Sequence, residues 1–347
     1  MAIFKSAVLA FATAQTVLGF QGLHQYSRRD GNEAFPFCTP NPSNPESCIV
    51  GGKYVKPDLN ISDEGNAGNQ AYVTYLPTHS YTLSQWTNNK IPQIVAGSIA
   101  VDGFQLADFS VYNVTYSDCP NSPWVIVRHT LSIKTIAELA VEIGKIPAGI
   151  RQATSTYLVY PETHNGAIGA LSGYLVGKAS YYFPTALVHE HGHAVDGYLV
   201  SPNPTVTSYS DTTAWRNTVI ADGYTATAYG TSSHAENFAD IGRVVLINNV
   251  YPGGMAALFP GHPNLGQIAG QVSLFGTVAG SYYQKESQCG NKKYAFPSVF
   301  VDVPGTSPTT TQPPNTATAT PYGQCEFLSY FSLLLEERNE NGSKKRC

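Results

Sequence analysis

Residues 186–200, "ALVHEHGHAVDGYLV", decide how this chain is read. Eight consecutive positions, His189 to Asp196, hold three histidines, a glutamate and an aspartate inside an otherwise apolar run. An apolar run of this length predicts a largely buried helix. At about 3.6 residues per turn, His189 and His193 stand one above the other on a single face. Buried ionisable groups without partners are costly, and a metal ion shared by two imidazoles removes that cost. The H-E-x-x-H spacing therefore predicts Zn2+ on His189 and His193, with Glu190 turned toward a metal-bound water rather than the metal. His191, two positions from His189, faces away and is read as a solvent-side or hydrogen-bonded histidine. Asp196 falls at i+3 from His193, on the ligand face, where it orients a ligand by a hydrogen bond. Gly192 lacks a side chain and lets another element approach closely.

A zinc ion with an open position takes three protein ligands. The best third donor is Glu236, in "YGTSSHAENFAD" (229–240), on a second helix predicted over 232–249. Ser233-x-x-Glu236 is also a capping box, which needs no metal. His234, Asp222 and Asp196 remain rivals on spacing alone.

The rest of the chain sets the context. Its 347 residues carry only 13% charged side chains and a net charge of −4, with no basic stripe, so nucleic acid is excluded as a partner. Residues 1–19, with Lys5 ahead of an apolar run, are expected to be a secretory signal peptide rather than a membrane anchor. Six cysteines without a C-x-x-C pair imply disulfides. Sequons stand at Asn60, Asn113 and Asn341; Asn60 and Asn113 are the expected glycosylation sites of an extracellular protein.

The expected organisation is a β/loop-rich segment over 20–119, a metal-binding domain over 120–303, a Ser/Thr/Pro-rich linker over 304–321 and a tail over 322–347. "QAYVTYL" (70–76) and "IVAGSIAVDGFQL" (94–106) suggest strands, as do "PWVIVRH" (123–129) and "STYLVYP" (155–161). Residues 132–150 show helical spacing at Ile136, Leu139, Ala140 and Ile143, and "GAIGALSGYLVG" (166–177) reads as a strand or hairpin. The fold class expected is α+β, with the histidine helix and a second ligand-bearing helix packed on a small sheet.

The stretches "HEHGHAVD" and "YGTSSHAENFAD" resemble the catalytic domains of lethal-factor-type and Pro-Pro endopeptidase-like zinc metallopeptidases, over roughly residues 120–250. The chain also looks like fungal secreted, conidiation-specific proteins with such a domain. The resemblance implies a zincin-like fold with Glu236 as third ligand and Asp240 behind a ligand. It implies Tyr229, seven residues before Glu236, facing a substrate carbonyl, with Glu190 as general base. On that basis the chain is expected to be a secreted zinc metalloendopeptidase acting on a peptide or protein substrate. Tyr224 is a fallback for Tyr229. The alternatives are an aspzincin-type peptidase using Asp222, or a non-catalytic surface or adhesion protein retaining the fold. "PYGQC" (321–325) resembles the entry to a fungal family 1 cellulose-binding module. That resemblance stops after Cys325, so cellulose or wall association is expected only of a complete module.

Overall fold

The computed structural model describes residues 49–304, apart from 51–52, 55, 60, 62–66, 167, 172, 203–207, 288 and 291–295. The expected signal peptide, the sequons at Asn60 and Asn341, nearly all of the linker and the tail lie outside the described residues. In chain order the elements are β1 (Ile49–Val50), β2 (Lys53–Tyr54), α1 (Ala67–Tyr75), β3 (Tyr81–Gln85), β4 (Lys90–Pro92), α2 (Gln93–Val101), β5 (Phe109–Tyr116) and β6 (Trp124–His129). They continue with α3 (Ile136–Lys145), α4 (Ala148–Arg151), β7 (Thr156–Tyr160), β8 (Ile168–Leu171), β9 (Tyr174–Lys178) and α5 (Pro184–Ala194). The last are α6 (Thr213–Ala221), α7 (His234–Val250), α8 (Gly254–Leu258), α9 (Ala269–Val278) and β10 (Phe300–Asp302).

Six strands form one mixed sheet in the order β3-β5-β6-β7-β9-β8. β6, β7 and β9 run parallel, while β3, β5 and β8 pair antiparallel to their neighbours. Period-2 alternation splits the strand side chains between two cores. Trp124 and Ile126 of β6, with Tyr157 and Val159 of β7, face the larger core, which also holds Leu187 and Val188 of α5 and Phe238 and Ile241 of α7. Val125 and Val127, with Leu158 and Tyr160, face the other core, which α2 closes through Val95 and Ile99. With both faces covered, the central strands read as continuous apolar runs. The molecule is thus a mixed α/β protein in which helices cover both faces of a mixed sheet.

Two expectations about the first part of the chain are corrected. Residues 70–76 and 94–106 are mostly helical, in α1 and α2, not strands. Both are short apolar runs whose period is ambiguous; burial of Ala71 and Tyr72 in one, and of Val95 and Ile99 in the other, selects the helix. The described end of the segment expected over 20–119 shares the sheet of the domain that follows, since β5 and β6 are hydrogen-bonded neighbours across the boundary at 119/120. The Cys119–Cys289 disulfide ties that turn to the segment after α9. Asn113 sits half-buried on β5, its Oδ1 accepting from Trp86 Nε1 at 2.8 Å.

Candidate metal centre

α5 starts with Pro184 in its first turn, where a missing N–H costs nothing. It runs on into a π-helical turn over Val195–Leu199, a distortion that tends to mark functional sites. α5 packs against α7 at a point of closest approach. A Cβ on Gly192 would lie 2.9 Å from Ala239 Cα, so only glycine lets the two helix backbones come this near. The approach carries the histidine face of α5 to the first turn of α7. There Ser233 caps the helix, its Oγ accepting from Glu236 N–H at 3.1 Å.

The structure brings His189, His193 and Glu236 together, with one donor atom from each all within 4.8 Å of one another. Glu236 Oε2 lies 2.9 Å from His189 Nε2 and 3.2 Å from His193 Nε2. The two imidazole rings meet edge to face at 4.9 Å. Glu236 Oε1 accepts from the Tyr229 hydroxyl at 3.1 Å. On the far side of His189, Nδ1–H donates to Asp240 Oδ1 at 2.9 Å. Asp240 is fully buried and also accepts from Arg243 Nη2 at 2.6 Å and from the Thr227 hydroxyl.

Charge follows geometry. Burial works against an imidazolium at His189, but hydrogen bonds to Asp240 and Glu236 outweigh it and push its pKa up to about 10. The same contest, with Glu236 as partner, raises His193. Burial pushes the Glu236 carboxyl up, yet the two histidines pull it well below the usual carboxylate range. Asp240 also ends low, Arg243 and His189 overcoming its burial. Glu190 goes the other way: burial raises it, against the attraction of His189 and His193 and a hydrogen bond from the Ala170 backbone on β8.

The donor set suits a divalent cation. Two imidazoles at i, i+4 and one carboxylate oxygen are zinc ligands by type. Asp240 on Nδ1 fixes the His189 tautomer that leaves Nε2 for a metal.

The remaining expected residues lie elsewhere. Asp196 does not orient a histidine; its carboxylate accepts from Ser210 N–H at 2.7 Å and Ser210 Oγ at 2.6 Å, and burial pushes its pKa up to about 6. Asp222 accepts from the backbone N–H groups of Gly270 and Gln271 and from the Gln271 side chain, which removes it as a ligand. The Tyr224 hydroxyl accepts from Asn264. His191 is fully buried rather than solvent-facing; its Nδ1–H donates to Leu187 O and its Nε2 meets the Tyr157 hydroxyl at 2.9 Å. Thr227 and Arg243 were not singled out in the sequence. Arg243 had a signal, its i, i+3 spacing from Asp240 on a helix; Thr227, in an irregular segment, had none.

The profile of the conidiation-specific protein Con-13 family matches residues 58–296. Conidiation-specific protein 13 of Neurospora crassa is 28% identical over 196 residues, 53% of this chain and 52% of that protein. The match thus spans about half the length of this relative. No solved structure matches the chain.

These findings correct the functional expectation. The matching family is a conidiation-specific one and not a peptidase family, so the resemblance to lethal-factor-type and Pro-Pro endopeptidase-like enzymes does not hold, and neither does the assignment as a hydrolase. The aspzincin alternative goes with it. The roles of general base for Glu190 and carbonyl donor for Tyr229 fall too. In their place the structure has Glu190 buried against β8 and the Tyr229 hydroxyl given to Glu236.

Proposed function

The chain belongs to the Con-13 family of conidiation-specific proteins, and from that premise we propose that it is a secreted, non-catalytic surface or adhesion protein. In this reading His189, His193 and Glu236 hold a zinc ion. The observation that carries the proposal is the convergence of those three donors from two helices. When bound, the ion would cross-link α5 to α7 and supply a Lewis-acidic position open to a donor from outside, since three protein ligands leave a tetrahedral ion incomplete. Such a position suits capture of a protein or wall partner without any bond being broken.

Export is supported by the Lys5-plus-apolar leader and by the Cys119–Cys289 disulfide, which persists in oxidising compartments. Among the described residues no helix is long and apolar enough to cross a membrane. Glycosylation at Asn113 belongs to the same proposal.

The test is made on the purified full chain. Elemental analysis is expected to find about one zinc per chain, lost in His193→Ala. Retention on conidial or hyphal surfaces is expected to fall on chelation and return with added zinc. A peptide library is expected to stay uncut by the zinc-loaded protein. Absence of zinc, or surface retention indifferent to it, overturns the proposal.

A further inference from the structure

The hydrogen bonds around the histidines close into a ring, and one hydroxyl joins its two halves. Gly230 N–H donates to Thr227 Oγ1 at 3.0 Å, and Thr227 Oγ1–H donates to Asp240 Oδ2. Asp240 Oδ1 holds His189 Nδ1, and His189 Nε2 meets Glu236 Oε2. Glu236 Oε1 accepts from Tyr229, which precedes Gly230 in the turn Tyr229–Thr231. Thr227 is 3% exposed, and its backbone carbonyl accepts from Thr225 Oγ1 at 3.1 Å, so its own orientation is fixed. The turn lies close against Asp240: a Cβ on residue 230 would lie 3.1 Å from Asp240 Oδ2, a tight contact that glycine avoids.

We infer that Thr227 is a positioning residue for two metal ligands at once. Through Asp240 it sets the ring of His189, and through the Gly230 backbone it holds the turn from which Tyr229 fixes Glu236. A hydroxyl does this because one atom accepts and donates together. Valine has nearly the same shape and does neither; serine does both. The inference rests on the zinc reading above, and its test separates the two.

Zinc affinity by chelator competition and the visible spectrum of the Co2+-loaded protein are measured for the parent, Thr227→Val and Thr227→Ser. Thr227→Val is expected to lose about 10- to 100-fold in affinity, the range for partners that orient metal ligands, and to change the Co2+ spectrum. Thr227→Ser is expected to restore both. In the metal-free protein, the His189 Nδ1–H resonance is expected in the parent and Thr227→Ser, and to be lost to exchange in Thr227→Val. A parent that binds neither ion defeats the zinc reading, and the metal-free resonance then decides the role of Thr227 alone. Parent-like affinity, spectrum and resonance in Thr227→Val overturn the inference. So does a loss that serine fails to restore, which would mark a packing role only. If Thr227→Val does not fold, Thr227→Cys replaces it with the same expectation, since a thiol keeps the volume but donates weakly.

Discussion

Among the described residues, two helices begin with a Ser/Thr-x-x-Glu cap, and the two glutamates go to different places. In "TIAE" (135–138), at the start of α3, Glu138 Oε2 turns back to Thr135 N–H at 2.7 Å while Thr135 Oγ1 accepts from Glu138 N–H, which completes the box. In "SHAE" (233–236), at the start of α7, Ser233 accepts from Glu236 N–H in the same way, but the Glu236 carboxylate leaves the cap and lies between two imidazoles. The difference is tertiary. The first turn of α3 faces solvent, whereas that of α7 is pressed against α5. Two imidazoles with little water around them hold a carboxylate more strongly than one backbone N–H does. A glutamate that abandons its own cap marks where the fold uses side chains for something other than ending a helix.

The sharpest break of this comparison is Glu236→Gln set beside Glu138→Gln. The first removes a charged donor from the centre. Zinc affinity is expected to fall by more than about 100-fold, beyond the range for residues that only orient ligands. Glu138→Gln is expected to leave zinc affinity unchanged, because among the described residues its carboxylate accepts hydrogen bonds from Thr135 and none from the histidine cluster. Metal titration of both decides the matter. Equal effects would mean that the two caps do the same job.

Next in size is the helix contact that draws Glu236 away. In Gly192→Ala, alanine raises helix propensity by about 1 kcal/mol. Its methyl must also fit 2.9 Å from a backbone atom that has nowhere to go, and overpacking of this kind costs about 1–3 kcal/mol. The packing term is the larger, so we expect a net loss of stability in denaturant melts of the metal-free protein, with weaker zinc binding as α5 and α7 part. A gain of stability would show that the helices are not held by this contact.

The same contrast explains what was legible in the sequence. The short β-rich apolar runs of β6 and β7 and the helical spacing at Ile136, Leu139 and Ile143 announce elements whose type is set locally. The i, i+4 pair His189/His193 announces a shared face. Glu236 stayed one of several candidates, because a capping glutamate and a ligand glutamate look alike until the partner helix is in place. Asp196 was misplaced for a related reason: spacing puts it on the histidine face, but the π-helical turn after α5 takes it to Ser210. The ring through Thr227 combines bonds spanning 3, 7 and 13 positions with two, from His189 to Glu236 and Asp240, that span 47 and 51, and no local pattern encodes it. Most instructive is the function. His-Glu-x-x-His spacing describes a geometry that can hold a metal, and a geometry of ligands does not by itself specify a reaction.

The smallest effect belongs to the exposed cap. Backbone and side-chain hydrogen bonds from Thr135 hold the Glu138 carboxyl below its ordinary 4.5. A carboxylate whose pKa is depressed on folding adds stability that is fully present above the unfolded value and is lost as pH falls through the folded one. The α3 box should therefore weaken only in acid, below pH 4.5. In Thr135→Val both donors to Glu138 are disturbed: the hydroxyl is gone and the cap geometry is relaxed. The Glu138 pKa, followed by carboxyl-carbon NMR, is expected to move back up toward its ordinary value in this variant, while the zinc affinity of the protein stays at that of the parent. A Glu138 pKa that does not move would mean that the box exists without holding its charge. A change in zinc affinity would mean that the two caps communicate, and the comparison between them would have to be redrawn.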